Sequence, residues 1–180
     1  NALPSMIEPV TIDGSTQPGF AGAPIIELNG TSAGAAVDGL KINTSNCAIR
    51  ALVINRFLGD QIEITNGVNN TVEGCYLGLS LTGLTDASTG LNGILITNSA
   101  NNLIGGLAVT NRNYISGNNQ NGVAIGGASA TNNVLLGNVI GLNVADADIG
   151  NGQDGVRVLA PFNLIGGSAS GARNVISGNA

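Results

Sequence analysis

Asn121-Gly122-Val123-Ala124-Ile125, followed by Val134-Leu135-Leu136-Gly137 and then Asn138-Val139-Ile140-Gly141, decides how the rest of the chain is read. Each of the three runs is short and apolar, and each is bounded by Gly or Asn. Apolar–any–apolar over three residues has the two-residue period of an extended strand, while Gly and Asn favour the tight turns that end one. The first run has relatives on both sides. Asp38-Gly39-Leu40-Lys41-Ile42, Asp60-Gln61-Ile62-Glu63-Ile64, Asn92-Gly93-Ile94-Leu95-Ile96 and Asp154-Gly155-Val156-Arg157-Val158 begin in the same way. The successive starts at 38, 60, 92, 121 and 154 are 22, 32, 29 and 33 residues apart. Repetition at 20 to 50 residues is the mark of a solenoid.

The second and third runs recur as well. Ala48-Ile49-Arg50, Thr71-Val72-Glu73, Leu103-Ile104-Gly105 and Leu164-Ile165-Gly166 match the second; Leu52-Val53-Ile54, Cys75-Tyr76-Leu77, Asn113-Tyr114-Ile115 and Asn174-Val175-Ile176 match the third. Three short strands per repeat predict an all-β chain, a right-handed parallel β-helix of about six coils. We read residues 1–180 as one domain: an irregular first coil over 1–37, then coils over 38–59, 60–91, 92–120, 121–153 and 154–180. Extra residues fall alternately after the third strand (Leu79–Leu91, Leu142–Gln153) and before it (Leu107–Arg112, Ser168–Arg173), so the true period is two coils. The slot that opens the third strand holds Asn113, Asn138 and Asn174, a predicted asparagine ladder whose amides bond one another along the stack. The same alignment sets Lys41 beside Glu63 and Arg50 beside Glu73.

Composition narrows the function classes. Charged residues make up 9% of the chain, with one lysine, Lys41, and a net charge of −5. That balance gives no basic stripe for nucleic acid. No apolar run approaches the roughly 18 residues of a membrane span. Weak charge and three Asn-x-Ser/Thr triplets, at Asn29, Asn43 and Asn69, point to an extracellular or cell-surface setting with possible N-glycosylation there. The start at Asn1, without a methionine or signal peptide, reads as a processed chain or a fragment.

The stretches Val10-Thr11-Ile12-Asp13-Gly14-Ser15-Thr16-Gln17-Pro18-Gly19-Phe20, Asn163-Leu164-Ile165-Gly166-Gly167 and Ala172-Arg173-Asn174-Val175-Ile176-Ser177-Gly178-Asn179 resemble bacterial right-handed β-helix repeat proteins of the pectate-lyase-like superfold. The resemblance implies a place inside long secreted or surface-anchored proteins, and acidic polysaccharide as the substrate to consider. Enzymes of that kind use clustered carboxylates for Ca²⁺ with an Arg or Lys base, or grouped Asp residues, often with a His.

Against that pattern, the chain has no histidine. Asp38 and Asp60 stack at one turn, a spacing two catalytic carboxylates could use, but Asn92, Asn121 and Asp154 fill the same slot as turn residues. Asp146, Asp148 and Asp154, with intervening glycines, form the one candidate Ca²⁺ loop, and a solvated turn is the competing reading. Cys47 and Cys75 fall in different slots and read as free core thiols. Tyr76 and Tyr114 share a slot, either packing or a sugar platform. Thr65 and Thr97 are too few for an ice-binding ladder. No cap covers either end, which leaves two readings: the chain is cut from a longer solenoid, or its uncovered coils associate with other copies, end to end, into a filament. The expectation is therefore a non-enzymatic structural or adhesive module with no catalytic residues and no cofactor. A carbohydrate-binding or lyase-like domain using Asp38, Asp60 and Arg157 is the alternative.

Overall fold

A computed structural model describes every residue from Asn1 to Ala180. Seventeen short strands and two single 3₁₀ turns, Gly14–Thr16 and Val109–Asn111, make up its regular structure. The strands form three sheets in which every named pairing is parallel. The first face stacks Leu40–Ile42, Ile62–Thr65, Ile94–Thr97, Val123–Gly126 and Val156–Val158. The second stacks Thr11–Asp13, Ala48–Arg50, Thr71–Glu73, Leu103–Gly105, Val134–Leu136 and Leu164–Ile165. The third stacks Ile26–Asn29, Leu52–Asn55, Tyr76–Leu77, Tyr114–Ile115, Val139–Ile140 and Val175–Ile176. The chain visits one strand of each face in turn and then climbs, which is a parallel β-helix of about six coils. In the first coil the first face is reduced to a single parallel bridge from Met6 to Ile42.

The apolar alternation sets which side chains point inward. Ile49, Val72, Ile104, Leu135 and Ile165 pair in register up the second face. Ile54, Leu77, Ile115, Ile140 and Ile176 do the same on the third. Between the two ends these columns are sealed: Ile104, Ile115, Leu135 and Ile140 each have 0% exposure. Full burial of such a side chain contributes roughly 1.5–3 kcal/mol, and the β-branched residues that dominate here suit a pleated strand. Lys41 lies opposite Glu63 and Arg50 opposite Glu73, and both pairs close as ion pairs across neighbouring coils.

The long loops are not loose decoration. Asn143 Nδ2 donates to the Leu84 carbonyl at 2.8 Å and Val144 N–H to Gly83 O at 3.1 Å, so loops one two-coil period apart stack on each other. Beneath them a small second core holds Val53, Tyr76 and Leu79, with Tyr114, Val144 and Ile149 against it. Tyr76 and Tyr114 meet edge to face at 5.5 Å. The shared tyrosine slot is therefore packing under a loop rather than an open platform.

Turns are set by residues that tolerate positive φ. The slot before each second-face strand pairs with its equivalents at Asn46, Asn69, Asn101, Asn132 and Phe162, all left-handed, with φ between 57° and 62°. Asn reaches this region at low cost because its short side chain can bond locally. Phe162 is the exception in the last coil.

Candidate functional site

Four polar columns run along the stack at the turns. The expected one is present: Asn113 Nδ2 donates to Asn138 Oδ1 at 2.9 Å, and Asn138 Nδ2 to Asn174 Oδ1 at 3.1 Å. Each amide spends its other hydrogen on a main-chain carbonyl, at Val72, Ile104 and Leu135 respectively. A second column, which sequence reasoning missed, stands before the second face as Asn70, Asn102, Asn133 and Asn163. Each Oδ1 accepts the backbone N–H of the coil before it: Cys47 to Asn70 at 2.9 Å, Asn70 to Asn102 and Asn102 to Asn133 at 3.0 Å, and Asn133 to Asn163 at 2.8 Å. A third, also missed, links Asn118, Asn151 and Asn179 through backbone and side-chain donors at 2.7–3.2 Å. In these three columns donation onto the Asn side-chain oxygens runs one way, from each coil to the next, while the amide nitrogens also reach back to carbonyls of the coil before. A buried amide that satisfies its neighbours in this manner avoids the penalty of roughly 1–3 kcal/mol for an unpaired polar group.

The fourth column contains the stacked aspartates. Asp38 Oδ1 accepts Asp60 N–H at 2.8 Å, Asp60 Oδ1 accepts Asn92 N–H at 3.0 Å, and Asn92 Oδ1 accepts Asn121 N–H at 3.1 Å. Donation here runs the opposite way, and Asn121 Oδ1 ends it buried without a partner. Asp38 and Asp60 thus occupy ladder rungs. Desolvation is the main reason both carboxyls sit above the ordinary carboxylate value, opposed by the amide hydrogens each accepts and reinforced by Glu63.

The structure does not gather the lyase-like trio. Two strands, Ile94–Thr97 and Val123–Gly126, separate the Asp60 coil from Arg157 on the first face. Three steps of ~4.8 Å put them about 14 Å apart along the axis. Arg157 is exposed beside a shallow groove of about 280 Å³ that also involves Leu95, Gln120, Asn121 and Ala124. Asp146, Asp148 and Asp154 do not converge either. Asp146 sits in a left-handed turn, Asp148 bridges to Leu142, and Asp154 opens the first-face strand of the next coil. No group of three or more His, Cys, Asp or Glu side chains is placed to hold a metal ion.

Both cysteines are buried and free, and both head a column: Cys47 N–H donates to Asn70 and Cys75 N–H to Asn113. Burial pushes the Cys75 thiol up to about 12, which leaves it protonated and unreactive at neutral pH. The three sequon asparagines are exposed. At Asn29 the side-chain oxygen accepts both the N–H and the hydroxyl of Thr31, at 3.0 and 2.6 Å. Asn43 accepts from Asn66 Nδ2 at 3.3 Å, and Asn69 forms a left-handed turn.

The largest surface cavity, about 650 Å³, lies between Thr31, Arg56, Leu58, Asp86 and Ser88. Its polar groups already have partners: Asp86 accepts Ser88 N–H at 2.8 Å, and Arg56 reaches Glu27 at 3.3 Å. No helix is long and apolar enough to cross a membrane. No family model, curated protein or solved structure matches this chain.

Proposed function

We propose that the chain is a non-catalytic structural segment of an extracellular or cell-surface protein, a stiff solenoid rod that spaces or presents whatever it is joined to. The observation that carries this reading is where the polar chemistry is used. Asp38 and Asp60 hold main-chain amides of the next coil, and Lys41, Arg50 and Arg56 tie coils together through Glu63, Glu73 and Glu27. Side chains committed to holding coils in register serve length and stiffness. A rod of about six coils rising ~4.8 Å each spans roughly 29 Å.

The competing reading, a carbohydrate-binding or lyase-like domain, has one feature in its favour: exposed Arg157 beside the first-face groove. Acidic and neutral polysaccharides, offered with and without Ca²⁺, separate the two. The structural reading expects no unsaturated product by ultraviolet absorbance and no saturable heat by calorimetry. Product, or binding abolished by Arg157→Ala, would replace it with the carbohydrate reading.

A further inference from the structure

The chain contains five Asn-Gly pairs, at Asn29-Gly30, Asn66-Gly67, Asn92-Gly93, Asn121-Gly122 and Asn151-Gly152. An asparagine amide beside glycine is chemically fragile, because glycine has no Cβ to keep its nitrogen away from the side-chain carbonyl that precedes it. In four of the pairs the fold ties that nitrogen down. The N–H of Gly30 donates to Asn55 O at 2.9 Å, Gly93 to Asn121 O and Gly122 to Asp154 O at 3.0 Å, and Gly152 to Asn118 O at 2.8 Å. Asn92, Asn121 and Asn151 are also buried as ladder rungs, and the exposed Asn29 holds Thr31 through its Oδ1. Asn66 has none of these protections. It is exposed, its side chain makes one bond, from Nδ2 to Asn43 Oδ1 at 3.3 Å, and the Gly67 N–H donates to nothing.

Packing keeps the fragile pair in place. Gly67 lies against the preceding coil, where a Cβ would meet the Thr44 carbonyl oxygen at 1.8 Å, and its own carbonyl accepts Ser99 Oγ. The equivalent turn one coil on is Asn98-Ser99, fixed by the pairing of Thr65 with Thr97. Asn98 is exposed and left-handed like Asn66, with φ 50° against 56°, and the Ser99 N–H is free as well, but serine carries a Cβ. We infer that Asn66-Gly67 is a self-modifying site, at which the native chain converts asparagine to aspartate and isoaspartate through a succinimide. The Gly67 nitrogen, its proton lost to hydroxide, attacks Asn66 Cγ. A new N–C bond closes the ring, the Cγ–Nδ2 bond breaks, and Nδ2 leaves as ammonia with a proton from water. Water then opens the ring at either carbonyl; one water is consumed for each ammonia released, and nothing is oxidised or reduced. Ring closure requires the turn to open locally, and among the five pairs only at Gly67 does opening break no N–H···O bond between coils. The products set a carboxylate against Asn43 Oδ1 and add one negative charge to a chain of net −5. Isoaspartate also lengthens the main chain by a methylene between the strands Ile62–Thr65 and Thr71–Glu73. The corner between the first and second faces thereby records the age of the molecule, independently of the proposed function.

The test is slow incubation of the full chain at a mildly alkaline pH where circular dichroism shows it folded, followed by peptide mapping with mass spectrometry. Loss of the amide at Asn66, read as the mass gain of an amide-to-acid exchange, is expected first. Isoaspartate should appear beside aspartate, and the rate should rise with hydroxide concentration. The other four Asn-Gly pairs should stay amidated over the same interval, and Asn98 should lag behind Asn66. In denaturant all five pairs should convert, since the protection of four is a property of the fold. Asn66→Gln keeps an amide on the exposed turn but lengthens it past easy ring closure, and should abolish the acidic shift of the ageing chain on ion exchange. Persistence of the Asn66 amide in the folded chain overturns the inference. Conversion to aspartate without isoaspartate does so too, because direct hydrolysis would then be the route. Conversion of a hydrogen-bonded pair, or of Asn98, as fast as Asn66 also overturns it, since the free N–H or the missing Cβ would then not set the site. The same holds if the four pairs stay amidated in denaturant, or if the acidic shift survives Asn66→Gln.

Discussion

The two ends of the solenoid are built from the same repeat and differ in what they offer. At the start, the inward residues Ile12, Ile26 and Leu28 are half-buried, and Met6, Ala33 and Val37 pack against the core beside them. The ladder slots there hold Val10 and Cys47, or Ile26, Leu52 and Cys75, and no Asn. At the far end, Val158, Ile165 and Ile176 are open and three Asn columns run into the last coil. Asparagine is inexpensive in a stack only when a neighbouring coil uses both its amide and its carbonyl. Where the neighbour is irregular, an apolar residue is safer, because it leaves nothing unpaired. The starts of the Asn70 and Asn113 columns follow this rule.

The sharpest contrast is within one apolar column. Ile104→Ala should cost 2–5 kcal/mol of unfolding free energy, since the side chain is sealed between Val72 and Leu135. Ile165→Ala, three-eighths exposed in the same column, should cost about 1 kcal/mol or less. Denaturant titration of both variants checks this, and equal losses would mean the last coil is covered in solution.

The polar columns should repeat the contrast at smaller amplitude. Asn133→Ala strands the backbone N–H of Asn102 and the carbonyl of Ser99, both buried, at a cost of about 2–4 kcal/mol. Asn163→Ala removes the acceptor of the Asn133 N–H and the donor to the Ala130 carbonyl, but in the half-buried last coil the truncated side chain opens both to water, and the change should cost about 1 kcal/mol. A common value for the two would refute the view that a ladder rung depends on neighbours on both sides.

The fold was legible because apolar–any–apolar triplets after Gly are hard to satisfy in any other way, and the paired charges Lys41–Glu63 and Arg50–Glu73 fix the register. The Asn113, Asn138 and Asn174 column was legible for a local reason: each residue immediately precedes a third-face strand. The Asn70, Asn102, Asn133 and Asn163 column carries the same signal, since each immediately precedes a second-face strand, and comparing that slot would have found it. The Asn118, Asn151 and Asn179 column was harder, because loops of changing length hide which residues are equivalent. Asp38 and Asp60 look catalytic in sequence because carboxylates at one turn are chemically conspicuous. Only the pairing with Asn92 identifies them as rungs.

That pairing has a pH consequence confined to the early coils. Asp60 is 5% exposed, and burial raises its carboxyl above the ordinary 3.8, with the Asn92 hydrogen bonds opposing and Asp38 and Glu63 adding. A folded-state value above the unfolded one means the native chain holds the proton more tightly. Stability then falls as pH climbs through 3.8 towards the raised value, and the loss is complete above it. Asp60→Asn keeps the Oδ1 acceptor for Asn92 and removes the buried charge, as Asn92 and Asn121 do in their coils. At neutral pH it should raise the melting temperature by roughly 2–4 °C, with the two curves converging near pH 3. A variant destabilised at neutral pH would mean that the carboxylate, not merely an oxygen, is required at that rung.

The smallest expected effect lies in the backbone of the last coil. Asn46, Asn69, Asn101 and Asn132 meet the left-handed turn with a residue that tolerates it, whereas Phe162 adopts φ 62° with its ring 81% exposed. A ring that exposed gains little from packing, so the turn is forced by the strands on either side rather than by the side chain. Phe162→Asn should relieve that strain and stabilise the chain by about 0.5–1 kcal/mol. Asn101→Phe, the reverse change in a central coil, should destabilise it by a similar amount. Because the turn hands the chain to Asn163, relief at Phe162 should also slow exchange at the Asn133 amide, which Asn163 accepts. Stabilisation without that slowing would place the strain in the loop alone and separate the turn from the ladder it feeds.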